Sequence, residues 1–211
     1  MTTELNLIET RAMLLYVAEK MEDSVDALTQ ADKAIGDGDH GIGMGRGFAA
    51  VRQKLDGASF NTLDELLKAA GMALVTSVGG AAGVIFGTLF RGGAKNLTGK
   101  TSFDSAALAA MLSDGLAAIE ERGKAKPGDK TMIDALDPAA TRAQQLTAVP
   151  LSEALPQVTE AAREGMEASK NMIATMGRAK TLGERALGHP DPGAVSTYFI
   201  LKFMSEYVAT K

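Results

Sequence analysis

Apolar residues recur at spacings of three, four and seven along almost the whole chain, the period of helices that bury one face. Leu7, Leu14, Met21 and Leu28 lie seven apart, with Val17, Ala18 and Val25 on the same face, and predict one long first helix. Met44, Phe48, Val51 and Leu55 predict a second. Thr62-Leu63-Asp64-Glu65 reads as a capping box that opens a third helix through Leu66, Ala70, Ala73 and Leu74. A fourth is expected from about Ala82 to Leu97. Asp104 can cap a fifth carrying Leu108, Met111, Leu112 and Ile119, which stops at Gly123, a residue suited to a left-handed C-terminal turn. A sixth is expected from about Asp129 to Leu146, with Pro138 bending it or delaying its start. Ser152 to Met176 supplies a seventh. Asp191-Pro192 places an acid at the cap and proline at the first helical position of an eighth, through Tyr198, Leu201 and Met204.

No run alternates Val, Ile and Thr in the manner of a strand, and aromatics are only 5% of residues. The expected fold is therefore all-α, a bundle of about eight helices forming a single domain over residues 1–211. The run from Ala69 to Phe90 carries no formal charge and is long enough to cross a bilayer as one helix. Gly79-Gly80 in its middle, with Gly71, Gly83 and Gly87 around them, predicts instead two buried helices meeting at a turn.

Composition narrows the function. At 211 residues, 45% of them hydrophobic, the chain can bury a substantial core. A formal charge of −4 argues against a nucleic-acid or anionic-membrane surface, both of which need a cationic field, so no nucleic acid and no membrane is expected as a partner. Without cysteine there is no disulfide framework, thiolate metal site or thiol nucleophile, which suits a reducing cytoplasm. No signal peptide is read from Met1 onward.

The stretch Gly36-Asp37-Gly38-Asp39-His40-Gly41-Ile42-Gly43, with Asp32 just upstream, crowds three carboxylates where the backbone is least encumbered. It matches G-x-G-x-x-G literally, but no strand precedes it and acids stand where a pyrophosphate would lie, so a dinucleotide site is excluded. Calcium-binding EF-hand loops starting at Asp37 or Asp32 would need Glu at their twelfth positions, where the chain has Phe48 and Gly43. Gly99-Lys100-Thr101 mimics the end of a Walker loop, but Ala94 stands where its first glycine belongs. The acid cluster fits a Mg2+ site in which glycines let the loop curl and three carboxylates bridge two ions; the alternative is helix caps at a polar turn. Ser77-Val78-Gly79-Gly80-Ala81-Ala82-Gly83 can open a helix with bare N–H groups directed at phosphate, or can exist only for close packing. The same two readings hold for Lys126-Pro127-Gly128-Asp129-Lys130-Thr131. Of the two histidines, His189 reads as structural, while His40 adjoins the acids.

Taken in order, Asp32-x4-Asp37-x-Asp39-His40-Gly41, Ser77-Val78-Gly79-Gly80-Ala81, Gly123-Lys124, Pro127-Gly128-Asp129-Lys130-Thr131-Met132, Gly177-Arg178 and Gly183-Glu184-Arg185 with Gly188-His189-x-Asp191-Pro192-Gly193-Ala194 resemble the nucleotide-binding L subunits of dihydroxyacetone kinases. The resemblance implies a barrel of eight antiparallel helices with ADP or ATP and two Mg2+ held by loops at one end. It implies Asp32, Asp37 and Asp39 as the Mg2+ ligands, and His40, Gly41, Ile42, Gly43, Ala81 and Ala82 along the phosphates. Gly123, Met132, Arg178, Asp191, Pro192 and Gly193 would enclose the rest of the nucleotide, with Arg178 as the catalytic, charge-neutralising group. Family members use either exchangeable ATP or a tightly held ADP recharged by a phosphohistidine donor protein of the phosphotransferase system. Gly183-Glu184-Arg185 leading to Gly188-His189 looks more like the second branch, although Ala82 stands where relatives of that branch can carry Ser. The acceptor, dihydroxyacetone or a related ketose, would be bound covalently on a separate K subunit. A nucleotide-binding module that docks on a transcription regulator is the reading of another class.

Overall fold

The computed structural model describes residues 2–211, so Met1, from which the absence of a signal peptide was read, lies outside the described residues. Among those described, nine α-helices carry the chain: α1 (Leu7–Asp23), α2 (Val25–Ile35), α3 (His40–Leu55), α4 (Leu63–Ser77), α5 (Gly80–Gly93), α6 (Ser105–Gly123), α7 (Ile133–Gln145), α8 (Leu151–Ala168) and α9 (Pro192–Ala209). Helix α1 packs on α3, and each helix from α3 to α8 packs on the next, until α9 returns to α1. Eight helices thus close a ring, while α2 lies between α3 and α9 at one end. Because successive helices reverse direction, one end of the ring gathers the C-termini of α4, α6 and α8 and the N-termini of α3, α5, α7 and α9. No described helix is long and apolar enough to cross a membrane.

The long first helix is in fact two. Ser24 turns its hydroxyl back to accept no helix proton and instead donates to the carbonyl of Lys20 at 2.7 Å, and the chain re-enters a helix at Val25 in a new direction. The heptad positions Leu14, Met21 and Leu28 still reach the core, so the period marked burial correctly and missed only the break. Two strands that the sequence reading lacked, β1 (Glu4–Asn6) and β2 (Ser102–Asp104), pair antiparallel with Leu5 opposite Phe103. Three residues are too few to show an alternating pattern. Helix α5 ends at Gly93 rather than Leu97, and α8 ends at Ala168 rather than Met176; each is followed by a short 3-10 turn. Helix α7 starts only at Ile133 and keeps Pro138 inside it.

Caps and close approaches set the boundaries. The Asp104 carboxylate accepts from the Ala107 N–H at 2.7 Å, and the Asp191 carboxylate from the Ala194 N–H at 2.8 Å, as the cap patterns predict. The capping box at Thr62 is half made, since the Glu65 carboxylate takes the Asn61 N–H instead of the Thr62 one. Helix α6 ends through Lys124 in the left-handed region (φ 60°), not through Gly123. A Cβ on Gly71 or Gly87 would lie 2.8 Å from the other's carbonyl oxygen, so α4 and α5 cross nearly backbone to backbone. Phe48, Phe86, Phe90 and Phe103, each buried, fill the ring's interior; such a side chain contributes about 1.5–3 kcal/mol by leaving water.

Buried Asp64 ties the start of α4 to the loop after α5, accepting from Lys68 Nζ at 2.8 Å and from the Gly99 N–H at 3.3 Å. These donors, the Lys68 ammonium foremost, hold its carboxyl down to about 2. A depressed native pKa gives stability that is present above the unfolded value near 3.8 and is lost as pH falls toward 2. Asp64→Asn should therefore cost about 1–2 kcal/mol in urea unfolding at pH 7, with the gap to wild type closing between pH 4 and pH 2. A gap that stays constant down to pH 2 would contradict this role.

Candidate functional site

A cavity of about 530 Å3 opens where the alternating helix ends meet. Its walls come from the C-terminus of α2, the first turn of α3, the α4–α5 junction, the start of α7, residues 176–179, and the first turn of α9. Twelve residues singled out in the sequence line it together: Asp32, Asp39, His40, Ile42, Gly43, Ala81, Ala82, Met132, Arg178, Asp191, Pro192 and Gly193. Asp37, Gly41 and Gly123 do not face it. Gly41 is buried against α2, where a Cβ would collide with the Thr29 hydroxyl oxygen and the Val25 carbonyl. Gly123 is exposed at the end of α6, and a Cβ there would touch the cavity residue Ile85 at 3.6 Å.

The acid cluster forms across a helix–loop–helix. Asp32 sits in the last turn of α2 and is buried, while Asp37 and Asp39 are exposed in the loop. One carboxylate oxygen from each lies within 4.8 Å of the others. A side chain at position 36 would collide with the Asp32 carboxylate, so glycine is required there, and Gly38 turns the loop at φ 80°. The remaining glycines are not loop residues. Gly41, Gly43, Gly45 and Gly47 belong to α3, where Gly41 and Gly45 let Val25 and Thr29 of α2 approach, and Gly43 and Gly47 admit Val78. Half of the supposed curling loop is thus helix packing.

The alternative reading of the acids as helix caps fits one of them in part. Asp32 Oδ2 accepts from the His40 N–H at 3.2 Å, but Asp39, the residue at the cap position of α3, makes no capping bond with its side chain. Instead Asp37 and Asp39 both face the guanidinium of Arg178, Asp39 at 3.2 Å and Asp37 closer still. Three carboxylates that close repel by about 1 kcal/mol per pair in bulk water and about 3–4 near a protein surface, and Arg178 offsets part of this. Carboxylates alone make a donor set suited to a hard divalent cation.

Arg178 belongs to a 3-10 segment, Arg178–Ala186, entered through Gly177 at φ 65°. A small apolar cluster of Ile35, Ala174, Ala179 and Ala186, joined by Leu182, holds this segment to the body together with the Arg178 pairs to Asp37 and Asp39.

His40 is less a free imidazole than a link between helices. Its Nε2 is 2.7 Å from the buried Ser196 hydroxyl, and its ring also donates to the Pro192 carbonyl, so it joins the first turns of α3 and α9. Burial lowers its pKa, with Asp32 opposing. Helix N-termini of α3, α5 and α9 all face the cavity, and the first turn of α5 carries no acid and no side-chain cap. The arrangement presents backbone donors and a carboxylate cluster to one space, a combination suited to a polyphosphate with its cations.

Several residues here were not legible in the sequence. Arg46 of α3 donates from Nε to the Ser77 carbonyl at 2.5 Å and from Nη2 to the Val78 carbonyl at 2.6 Å. Lys130, 1% exposed and left-handed at φ 59°, donates from Nζ to the carbonyls of Ser169 and His189, both at 2.7 Å. Ser169 in turn accepts the Asp191 N–H at 3.0 Å. Asp134 takes the Gly128 and Thr131 N–H groups at 2.5 and 2.7 Å and fixes the loop ahead of α7. Burial pushes the Asp191 carboxyl up to about 7 and draws Lys130 down, each opposed by the other's charge. Nothing in the letters Lys126 to Thr131 distinguishes a buried lysine clasp from an exposed anion loop, because the acceptors come from residues 169 and 189.

Residues 34–206 match the DAK2 domain family. The chain belongs to this family. Within it, the chain is 40% identical over 180 residues to the protein named PEP-dependent dihydroxyacetone kinase, ADP-binding subunit DhaL, of Escherichia coli (strain K12), covering 84% of this chain and 86% of that one. It is 34% identical over 195 residues to the PTS-dependent dihydroxyacetone kinase, ADP-binding subunit DhaL, of Lactococcus lactis, covering 90% and 92%. Among solved structures, the dihydroxyacetone kinase from C. freundii in complex with AMP-PNP and Mg2+ superposes with a TM-score of 0.75 at 27% identity. That match covers 98% of this chain and 35% of the kinase, so the chain spans about a third of its length. The DAK2 chain described here is all-α, as its pattern predicts.

The clasp can be tested apart from chemistry. Lys130→Met removes the cation that opposes buried Asp191 and leaves the Ser169 and His189 carbonyls without their donor. Chemical denaturation should show a loss of about 2–4 kcal/mol. A loss under about 0.5 kcal/mol would mean that water replaces the ammonium.

Proposed function

We propose that this chain is the nucleotide-binding, phosphoryl-transfer subunit of a dihydroxyacetone kinase, working with ADP or ATP and two Mg2+. The observation that carries this reading is the convergence of Asp32, Asp37 and Asp39, within 4.8 Å of one another, at a cavity that also receives three helix N-termini. The family supports it, as do relatives named as ADP-binding subunits that match over most of both chains.

In this reading Asp32, Asp37 and Asp39 hold the two Mg2+, whose charge offsets that of the nucleotide phosphates and of the group in transfer. His40, Ile42, Gly43, Ala81 and Ala82 face the phosphates, chiefly through backbone N–H groups, since Ala82 offers no hydroxyl, while Gly41 packs behind them on α2. Met132 and Asp191 to Gly193 form the opposite wall, with Gly123 at its edge. Were Mg2+ to hold Asp37 and Asp39, the Arg178 guanidinium beside them would be free to face the transferring phosphoryl group, where a planar cation with five donors suits spread negative charge.

The acceptor half of the site lies on another chain. A K subunit carries dihydroxyacetone, and the nucleotide is recharged in place by a phosphohistidine donor of the phosphotransferase system, in the cytoplasm. Relatives named PEP-dependent and PTS-dependent favour this branch over exchange with free ATP. Residues 1–211 act as one nucleotide-binding unit.

Reconstitution with a K subunit and either the phosphoenolpyruvate-driven donor system or ATP tests the assignment. Wild type should phosphorylate dihydroxyacetone with the former, and Asp37→Ala should lose at least about 10²-fold in rate while keeping its helix content. Turnover retained by Asp37→Ala would sink the reading. No turnover by wild type with either donor would leave a nucleotide-binding regulatory partner instead.

A further inference from the structure

Two helices joined by a tight turn make a poor anion site unless something intervenes. The α4–α5 junction puts the last carbonyls of α4 beside the first N–H groups of α5, and the partial charges at the two ends oppose each other. Arg46 is placed at this junction. Its guanidinium donates to the Ser77 and Val78 carbonyls at 2.5 and 2.6 Å, and a Cβ on Gly79 would lie 3.2 Å from Nη2. It lines the cavity, and among the described residues no carboxylate pairs with it.

We propose that Arg46 is a positioning residue that turns this junction into a phosphate site: it cancels the negative end of α4, so that the N–H groups of Gly80, Ala81 and Ala82 act on an anion unopposed. The inference rests on the nucleotide reading above and deepens it, since the ligand it favours is a nucleoside diphosphate over a monophosphate. Two of the five guanidinium donors are committed to carbonyls, which fixes the plane of the group, and its full charge stays beside the cavity. Arg91, the arginine of the α4–α5 pair itself, packs its stem against Gly71 farther along and is not among the residues lining the cavity.

The sequence alone assigns Arg46 no role. It stands among alternating glycines, and its two acceptors lie about thirty positions away, at the end of a different helix.

The test compares ADP with AMP, each with Mg2+, by competition against a fluorescent nucleotide. In wild type ADP should bind more tightly than AMP. Arg46→Gln should lower ADP affinity about ten- to a hundredfold and AMP affinity less, so that the ratio of the two falls at least about fivefold. Arg46→Lys, which keeps the charge without the two-pronged fork, should restore part of that ratio. Equal losses for ADP and AMP, or equal losses for the Gln and Lys variants, would reduce Arg46 to a mechanical brace and overturn the proposal. Melting temperatures recorded alongside identify any unfolded variant, and the Lys variant then decides by the same ratio. Wild type that binds neither nucleotide would overturn the function reading and this inference together, whereas wild-type binding with an unchanged ratio in the variants overturns the inference alone.

Discussion

Three carboxylates that repel one another are held together at one end of the ring, and the rest of the site is arranged around keeping them there. Asp32 is anchored by its place in the last turn of α2 and by the His40 N–H, while Asp37 and Asp39 depend on the Arg178 guanidinium for opposing charge. Folding alone does not reward such crowding, because a polar turn can be built with fewer acids. Divalent cations set among the carboxylates would relieve the same repulsion that the arginine relieves in part.

The ring geometry explains why so many donors meet at this place. In eight alternating helices, every second end on a given side is an N-terminus, so α3, α5, α7 and α9 deliver backbone N–H groups to the same region. The intervening C-termini would weaken that field. Arg46 covers the end of α4, and the Lys130 ammonium binds the Ser169 carbonyl just after α8. Small residues bring the helices close enough for this: Gly41 and Gly45 toward α2, Gly43 and Gly47 toward Val78, and Gly71 against Gly87. The resulting wall is precise because its polar groups are tied to carbonyls and carboxylates, and one buried polar clasp, Lys130, joins segments from three parts of the chain.

Helix number, order and buried faces were readable because their signal is local and periodic. Leu14, Met21 and Leu28 are buried as their spacing predicts, and Asp104 and Asp191 cap as their positions predict. The Ser24 break escaped notice because Val25 and Leu28 continue the period across it. Lys124, not Gly123, took the left-handed turn, which costs a residue with a Cβ about 1–2 kcal/mol and is not signalled by its neighbours. Twelve of the fifteen site residues line one cavity, and they were found through ordered motifs rather than through any one loop. Of the groups that escaped, Arg46, Lys130 and Ser196 act across large sequence separations, where one sequence holds no record of the partner, while Asp134 ties its own loop through the Gly128 and Thr131 N–H groups.

Counting bound cations measures the central claim most directly. Electron paramagnetic resonance titration with Mn2+ in the presence of one equivalent of ADP should give two Mn2+ per wild-type chain. A variant with Asp32, Asp37 and Asp39 all changed to Asn should hold no more Mn2+ than ADP holds by itself. Two Mn2+ retained by that variant, or none bound by wild type, would contradict the account.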